Sequence, residues 1–293
     1  MKIVVAGADG LLGHEVVRVC AGYGDEVIET DVAKDFRCLD ITDMDATLAF
    51  LEAEKPHWLV NCAAYTDVDG CEDREDLAYE LNAKGPGYLA QACSKSGTML
   101  LHISSDYVFD GEKPEPYTEE DPTNPLSVYG KSKLAGEEAI RQCIKDFIIV
   151  RPQWLFGPNG KNFVSTVLGI ARERASINVV NDQRGSPTYS KDLARAIRAL
   201  IEQDARGIFH VCNRGSASWY DLAKKALELA ELETRVVPVS TSEFVRPAVR
   251  PKNSILSTKR FTETTQKLMP LWQISLQLYI KEYLFEYRKS GQA

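Results

Sequence analysis

The sequence predicts an α/β chain built on a Rossmann-type doubly wound parallel sheet, with a smaller C-terminal α/β region, and three observations carry that prediction. Lys2-Ile-Val-Val-Ala6 is a short β-branched run, the composition of a strand buried on both faces. It runs straight into Gly7-Ala-Asp-Gly10-Leu-Leu-Gly13, after which the apolar period turns helical from His14 to Ala21. Further strand-like runs at 26–31, 57–61, 99–105 and 146–152 then alternate with helical stretches, the pattern of strands joined by crossover helices.

The first strand, turn and helix form half of a βαβ unit, whose backbone N–H groups at the helix start can hold a pyrophosphate. Gly7 makes the turn, Gly10 admits the bound group and Gly13 lets the helix pack closely. Leu11 and Leu12 fall in the same segment. Asp31 ends the second strand, where an acid accepts hydrogen bonds from an adenosine ribose and repels a 2′-phosphate, which favours NAD(H). Lys34 and Arg37 follow closely and leave NADP(H) open. Asp40 and Ile41 precede a helix that is expected to start near Thr42 or Asp43, and they are placed beside the adenine.

Strand His57-Trp-Leu-Val-Asn61 opens into Cys62-Ala-Ala-Tyr-Thr66, small residues suited to lying against a cofactor. A helix is predicted over 77–96 and contains Asn82. Strand Met99 to Ser105 delivers two hydroxyls and Asp106 at its end, and the Pro-, Glu- and Asp-rich loop 109–125 is expected to face solvent and to close over a site. After Arg151-Pro152, short loops at 157–161, 182–188 and 246–252 alternate with helices predicted around 161–174, 190–204, 218–232 and 271–287. Residues 1–152 are therefore read as a dinucleotide-binding domain to which 186–212 return, and 153–293 as mainly substrate-binding.

Tyr129-Gly-Lys-Ser-Lys133 puts a phenol and an ammonium one helical turn apart on one face. A cation there is expected to pull the Tyr129 hydroxyl below its ordinary pKa of about 10, so that it trades a proton at neutral pH. With Ser105 to orient an oxygen, Tyr129 to donate the proton and Lys133 to tune the donor and hold a ribose, the set suits carbonyl reduction.

Composition narrows the alternatives. With 293 residues, 44% hydrophobic and 26% charged, the chain can bury a large core. No apolar run approaches the roughly 18 residues that span a bilayer, and Ile3 to Ala6 is too short for a signal peptide, so a cytoplasmic protein without a membrane partner is expected. Seven cysteines stand singly without CxxC, as reduced thiols do, and four histidines are equally scattered, so no metal site is expected. A net charge of −7 without a basic run argues against nucleic acid.

The glycine turn, Ser104-Ser-Asp-Tyr-Val-Phe-Asp-Gly111 and Tyr129-Gly-Lys-Ser-Lys133 together resemble an extended short-chain dehydrogenase/reductase. Asn61-Cys-Ala-Ala-Tyr-Thr-Asp-Val-Asp69, Arg151-Pro-Gln-Trp-Leu-Phe-Gly157, Asp182-Gln-Arg-Gly-Ser-Pro-Thr188 and Arg246-Pro247 narrow the resemblance to the dTDP-4-dehydrorhamnose reductase family. The resemblance implies reduction of the C4 ketone of a dTDP-sugar with NAD(H) or NADP(H), in a protein expected to be a homodimer. It implies catalytic Ser105, Tyr129 and Lys133, with Ser105 where the family commonly has Thr. Gly7, Gly10, Leu11, Leu12, Gly13, Asp31, Asp40, Ile41, Ala63, Ala64, Tyr65 and Asn82 fall at cofactor-side positions. Thr66, Val68, Asp106, Tyr107, Trp154, Asn162, Arg184 and Arg246 fall on the substrate side, with Arg246 toward the diphosphate. A 4,6-dehydratase would carry Glu after the Asp, where this chain has Tyr107. Another sugar-nucleotide 4-reductase or epimerase stays open, as does a non-catalytic NADP-binding subunit resembling the one that accompanies methionine adenosyltransferase.

Overall fold

The computed structural model describes residues 1–289. Seven strands form one parallel sheet in the order Gly207–His210, Phe147–Arg151, Met99–Ile103, Trp58–Asn61, Lys2–Ala6, Glu26–Asp31, Arg37–Cys38. The chain leaves Lys2–Ala6 toward one edge, then crosses back to Trp58–Asn61 on the other side. That reversal opens a crevice at the carboxyl ends of these two strands, where Ala6 is in register with Asn61.

Period-2 alternation divides the sheet's side chains between two cores. Ile3, Val5, Val60, Leu101 and Ile148 face helices Leu11–Gly22 and Ser190–Glu202, while Val4, Leu59, Leu100 and Ile149 face the helices of the other side. A third core gathers helices Phe163–Glu173, Trp219–Leu229 and Trp272–Lys289. A parallel pair, Ser176–Val180 with Arg235–Val239, lies against it.

Several elements depart from the sequence reading. The first helix begins at Leu11, directly after Gly10. The helix predicted over 77–96 starts at Glu75 and contains a π-helical turn at Glu80–Lys84, a widening that turns Asn82 inward, where it is fully buried. Helix Val128–Cys143 crosses at that point so closely that a β-carbon on Gly136 would collide with the Asn82 carbonyl. The loop 109–125 faces solvent as expected at Glu112, Pro114, Glu115, Pro116, Glu120, Pro122 and Asn124, but it is anchored from within. Phe109 and Tyr117 are buried and stacked at 4.3 Å, and Tyr117 donates from its hydroxyl to Asp110 at 2.7 Å. The two-residue pairs Leu155–Phe156 with Thr188–Tyr189 and Arg184–Gly185 with Ala217–Ser218 are too short to carry a sequence period. Among the described residues no helix is long and apolar enough to cross a membrane, and no group of three or more His, Cys, Asp or Glu could hold a metal ion.

Candidate active site

A cavity of about 690 Å³ occupies the crevice, within the size range of small-ligand sites. Its floor is the glycine turn. Gly7 has φ +79°, and a β-carbon on it would lie 2.5 Å from Ala63 N, so only glycine lets the two loops meet. Gly10 caps helix Leu11–Gly22 without any side-chain hydrogen bond, which leaves first-turn N–H groups free for an anion. Gly13 does not line the cavity. A β-carbon on it would strike the Gly7 carbonyl, so it sets how closely helix and turn pack.

One lobe of the cavity is lined by Leu11, Leu12, Asp31, Val32, Leu39, Asp40, Ile41, Ala63 and Ala64. Asp31 accepts from Asp9 N at 3.2 Å and from Ala33 N at 3.1 Å, bonds that orient its carboxylate at the strand end. Arg37 is drawn away, paired with Glu54 at 2.6 Å and stacked on Phe50. A largely apolar lobe with Asp31 at the strand end and Asp40 beside it, floored by an uncapped glycine turn, fits an adenosine diphosphate half of a dinucleotide.

The other lobe is lined by Thr66, Val68, Ser104, Ser105, Asp106, Tyr107, Tyr129, Lys133 and Trp154. Helix Val128–Cys143 starts at Ser127, whose Oγ accepts from Gly130 N at 3.2 Å, so Tyr129 stands in the first turn and Lys133 one turn on. Ser105 ends its strand with Oγ donating to Asp106 Oδ1 at 3.0 Å and accepting from Tyr107 N at 3.1 Å. Those bonds fix a rotamer that a threonine methyl would otherwise restrict. The Ser105 hydroxyl also lies within hydrogen-bonding reach of Tyr129, and the rings of Tyr107 and Tyr129 meet edge-on at 5.4 Å.

The electrostatics depart from expectation. Burial pushes the Tyr129 phenol above its ordinary 10, and the Ser105 hydrogen bond only partly opposes it. The Lys133 ammonium donates to Ile103 O at 2.6 Å, and burial outweighs whatever lowers the phenol. Burial lowers Lys133 itself to about 8, against the charge of Glu137. Burial likewise raises Asp106 to about 6, despite bonds from Ser254, Gln153 and Ser105. Cys62 on the cavity wall is pushed up to about 12 by burial, so its thiol is inert at neutral pH.

Six residues read as site residues stand elsewhere than on the cavity wall: Gly13, Tyr65, Asn82, Asn162, Arg184 and Arg246. Asn82 clamps the loop at Tyr65, accepting from its N at 2.9 Å and donating to its O at 3.0 Å. Asn162 caps helix Phe163–Glu173 and donates to Gly157 O at 2.8 Å, so its amide is spent on the fold. Arg184 is an exposed strand residue. Arg246 pairs with Asp69 at 2.8 Å, and Arg250 joins the same carboxylate at 3.0 Å. Burial pushes Asp69 upward, yet the bonds from Arg250 and Ala248 and the two cations hold it below the usual range.

The wall also contains residues that the sequence did not disclose, among them Gln153, Lys161, Phe163 and Trp219. Trp154 adopts φ +43° and stacks on Trp219 at 3.7 Å, and Phe163 packs on Trp219 at 4.6 Å. Gly185 makes room, since a β-carbon there would lie 2.5 Å from the Trp154 ring. No local period links 154, 163 and 219, so only folding brings them together.

The family described as RmlD substrate binding domain matches residues 1–285. A spore coat polysaccharide biosynthesis protein of Bacillus subtilis (strain 168) is 40% identical over 281 residues, covering 96% of this chain and 97% of that protein. A crystal structure of a dTDP-4-dehydrorhamnose reductase from Clostridium acetobutylicum ATCC 824 superposes with TM-score 0.92 at 43% identity, covering 97% of this chain and 100% of that one. The dTDP-4-dehydrorhamnose reductase of Bacillus anthracis str. Ames, solved in complex with NADP, gives TM-score 0.92 at 38% identity, covering 96% and 99%.

Proposed function

The chain belongs to the dTDP-4-dehydrorhamnose reductase family, and from that premise we propose that it reduces the C4 carbonyl of dTDP-4-dehydro-β-L-rhamnose to dTDP-β-L-rhamnose, a polysaccharide precursor. The observation that carries this reading is the convergence of Ser105, Tyr129 and Lys133 on one cavity beside the glycine turn. The cofactor is NADH or NADPH, and when bound the reduced nicotinamide supplies the hydride. Gly7, Gly10, Leu11, Leu12, Asp31, Asp40, Ile41, Ala63 and Ala64 line the lobe that fits its adenosine half.

This chain's own residues supply the proton and the orientation. Tyr129, kept protonated by its buried setting, is the acid that gives its proton to O4. Ser105, whose hydroxyl proton rests on Asp106, would turn that proton to the same oxygen when substrate binds and so align it, and Lys133 would hold the ribose hydroxyls. Tyr107, Thr66, Val68 and the Trp154–Trp219 wall enclose the sugar nucleotide and exclude water. Arg246 and Arg250 share a single carboxylate, which leaves net positive charge for a diphosphate beside the cavity.

On this reading residues 1–152 with 186–212 form the nucleotide domain and 153–293 mainly the substrate region. The protein is a cytoplasmic homodimer. Its seven free cysteines suit a reducing compartment, and Ile274 and Leu278, 52% and 51% exposed one turn apart, suit a subunit contact. The test is consumption of NADH or NADPH on adding dTDP-4-dehydro-β-L-rhamnose. Cofactor binding without turnover would instead favour a regulatory subunit.

A further inference from the structure

Behind Lys133, on the side away from the cavity, lies a buried polar chain that the proposed chemistry does not use. Asn61, His102 and Lys133 are all essentially inaccessible. Asn61 Oδ1 accepts from Ala63 N at 3.0 Å, while Asn61 Nδ2 stands 3.0 Å from His102 Nδ1. His102 Nε2 stands 3.4 Å from Lys133 Nζ, which also donates to Ile103 O at 2.6 Å.

The proton positions follow from donor and acceptor logic. A backbone N–H only donates, so the Asn61 atom facing Ala63 N is the oxygen, and the atom facing His102 is the NH₂ group. His102 Nδ1 must therefore accept and carries no proton. The ring is neutral in this sealed setting, where burial and then the Lys133 charge hold its pKa well below 6.5. Its single proton is then on Nε2, aimed at Lys133 Nζ, and only the amine form of lysine has a lone pair to receive it.

We propose that Asn61 and His102 are positioning residues that set the proton affinity of Lys133: Asn61 locks His102 in the Nε2–H tautomer, and that N–H favours the amine over the ammonium. The assignment rests on the reading of Lys133 as part of the reductase site. The other groups around Lys133 do not supply this bias. Glu137, one turn on, favours the ammonium, but its carboxylate is held by Arg151 at 2.8 and 2.6 Å and by Ser104. Cys62 stays a thiol, and Tyr129, one turn back, stays a phenol. A lysine that holds its proton loosely can release and regain it near neutral pH during turnover.

Nitrogen-15 NMR of the full chain labelled at histidine tests the lock directly, with the His102 signals assigned by their loss in His102→Gln. The expected result is a proton on Nε2 and none on Nδ1 between pH 6 and 8, and a proton on Nδ1 would overturn the proposal. Asn61→Asp keeps the acceptor for Ala63 N–H but replaces the donor with a carboxylate oxygen, which reverses the tautomer. His102→Leu removes the N–H without adding charge. Both variants should move the Lys133 titration, read from lysine labelled with carbon-13 at Cε, upward by about one pH unit, a tenfold gain in proton affinity. The high-pH limb of kcat/KM for the sugar nucleotide should move with it. Lower turnover with the titration unmoved in His102→Leu would leave a merely structural role and sink the assignment. The NMR titration needs no turnover, so it decides this proposal even if no sugar nucleotide is reduced.

Discussion

Gly130 packs against the main-chain carbonyl of Tyr107 so closely that no β-carbon fits between them. This contact seats the first turn of helix Val128–Cys143 on the loop that carries Ser105, and so sets how far the Tyr129 hydroxyl stands from the serine. Gly130→Ala should cost about 1–3 kcal/mol, as overpacking of close backbone does. Turnover should fall further than that stability loss explains. A urea melt combined with steady-state rates checks it, and an unchanged rate would show that the contact does not set the site.

Tyr129→Phe removes the proton donor and leaves the ring on the cavity wall. Turnover should fall by about 10²–10⁴-fold while cofactor affinity, measured by fluorescence titration, stays near normal. Turnover that survives the change would mean that another group delivers the proton.

Ser105 is held by Asp106 and by Tyr107 N rather than by a β-methyl. Ser105→Thr should therefore keep turnover within a few-fold, whereas Ser105→Ala should lower it by about 10²-fold through loss of the hydroxyl. Equal rates for both variants would remove the hydroxyl from the mechanism.

Asp106 is buried, and its carboxyl is raised from 3.8 to about 6. Between those values the folded chain holds a proton that the unfolded chain has released, so this group's stabilising contribution is full below pH 4 and is lost as pH rises through 6. Asp106→Asn should abolish that slope. The wild-type minus variant stability, from urea melts at pH 4 and pH 7, should fall by about 2 kcal/mol. A flat difference would mean that Asp106 is ionised throughout.

Asp31 lines the adenosine lobe, and Arg37, one of the two cations that follow it, is committed to Glu54. Asp31→Asn should raise kcat/KM for NADPH relative to NADH by about tenfold, or about 1.4 kcal/mol, by removing repulsion of a 2′-phosphate. A ratio that stays constant would place the cofactor choice elsewhere.

What the sequence determined by itself is whatever is written in contiguous residues. The buried strand running into Gly7, Gly10 and Gly13 specifies the turn through backbone sterics alone, and the YxxxK interval places Tyr129 and Lys133 on one helical face. The ordered blocks from Asn61 to Arg246 specify the family. Tertiary structure decided what depends on partners distant in the chain. Arg246 reads as turned toward a diphosphate and Asn82 as a cofactor-side residue, and only the fold brings Asp69 to the one and sets the other, through a π turn, on the main chain of Tyr65; nothing local to loop 109–125 shows that Tyr117 stacks on Phe109. The acidity of Tyr129 went the same way. Helical spacing predicts a phenol drawn down by its lysine, but the fold buries the phenol and gives the lysine to Ile103 O and His102, so desolvation governs both groups.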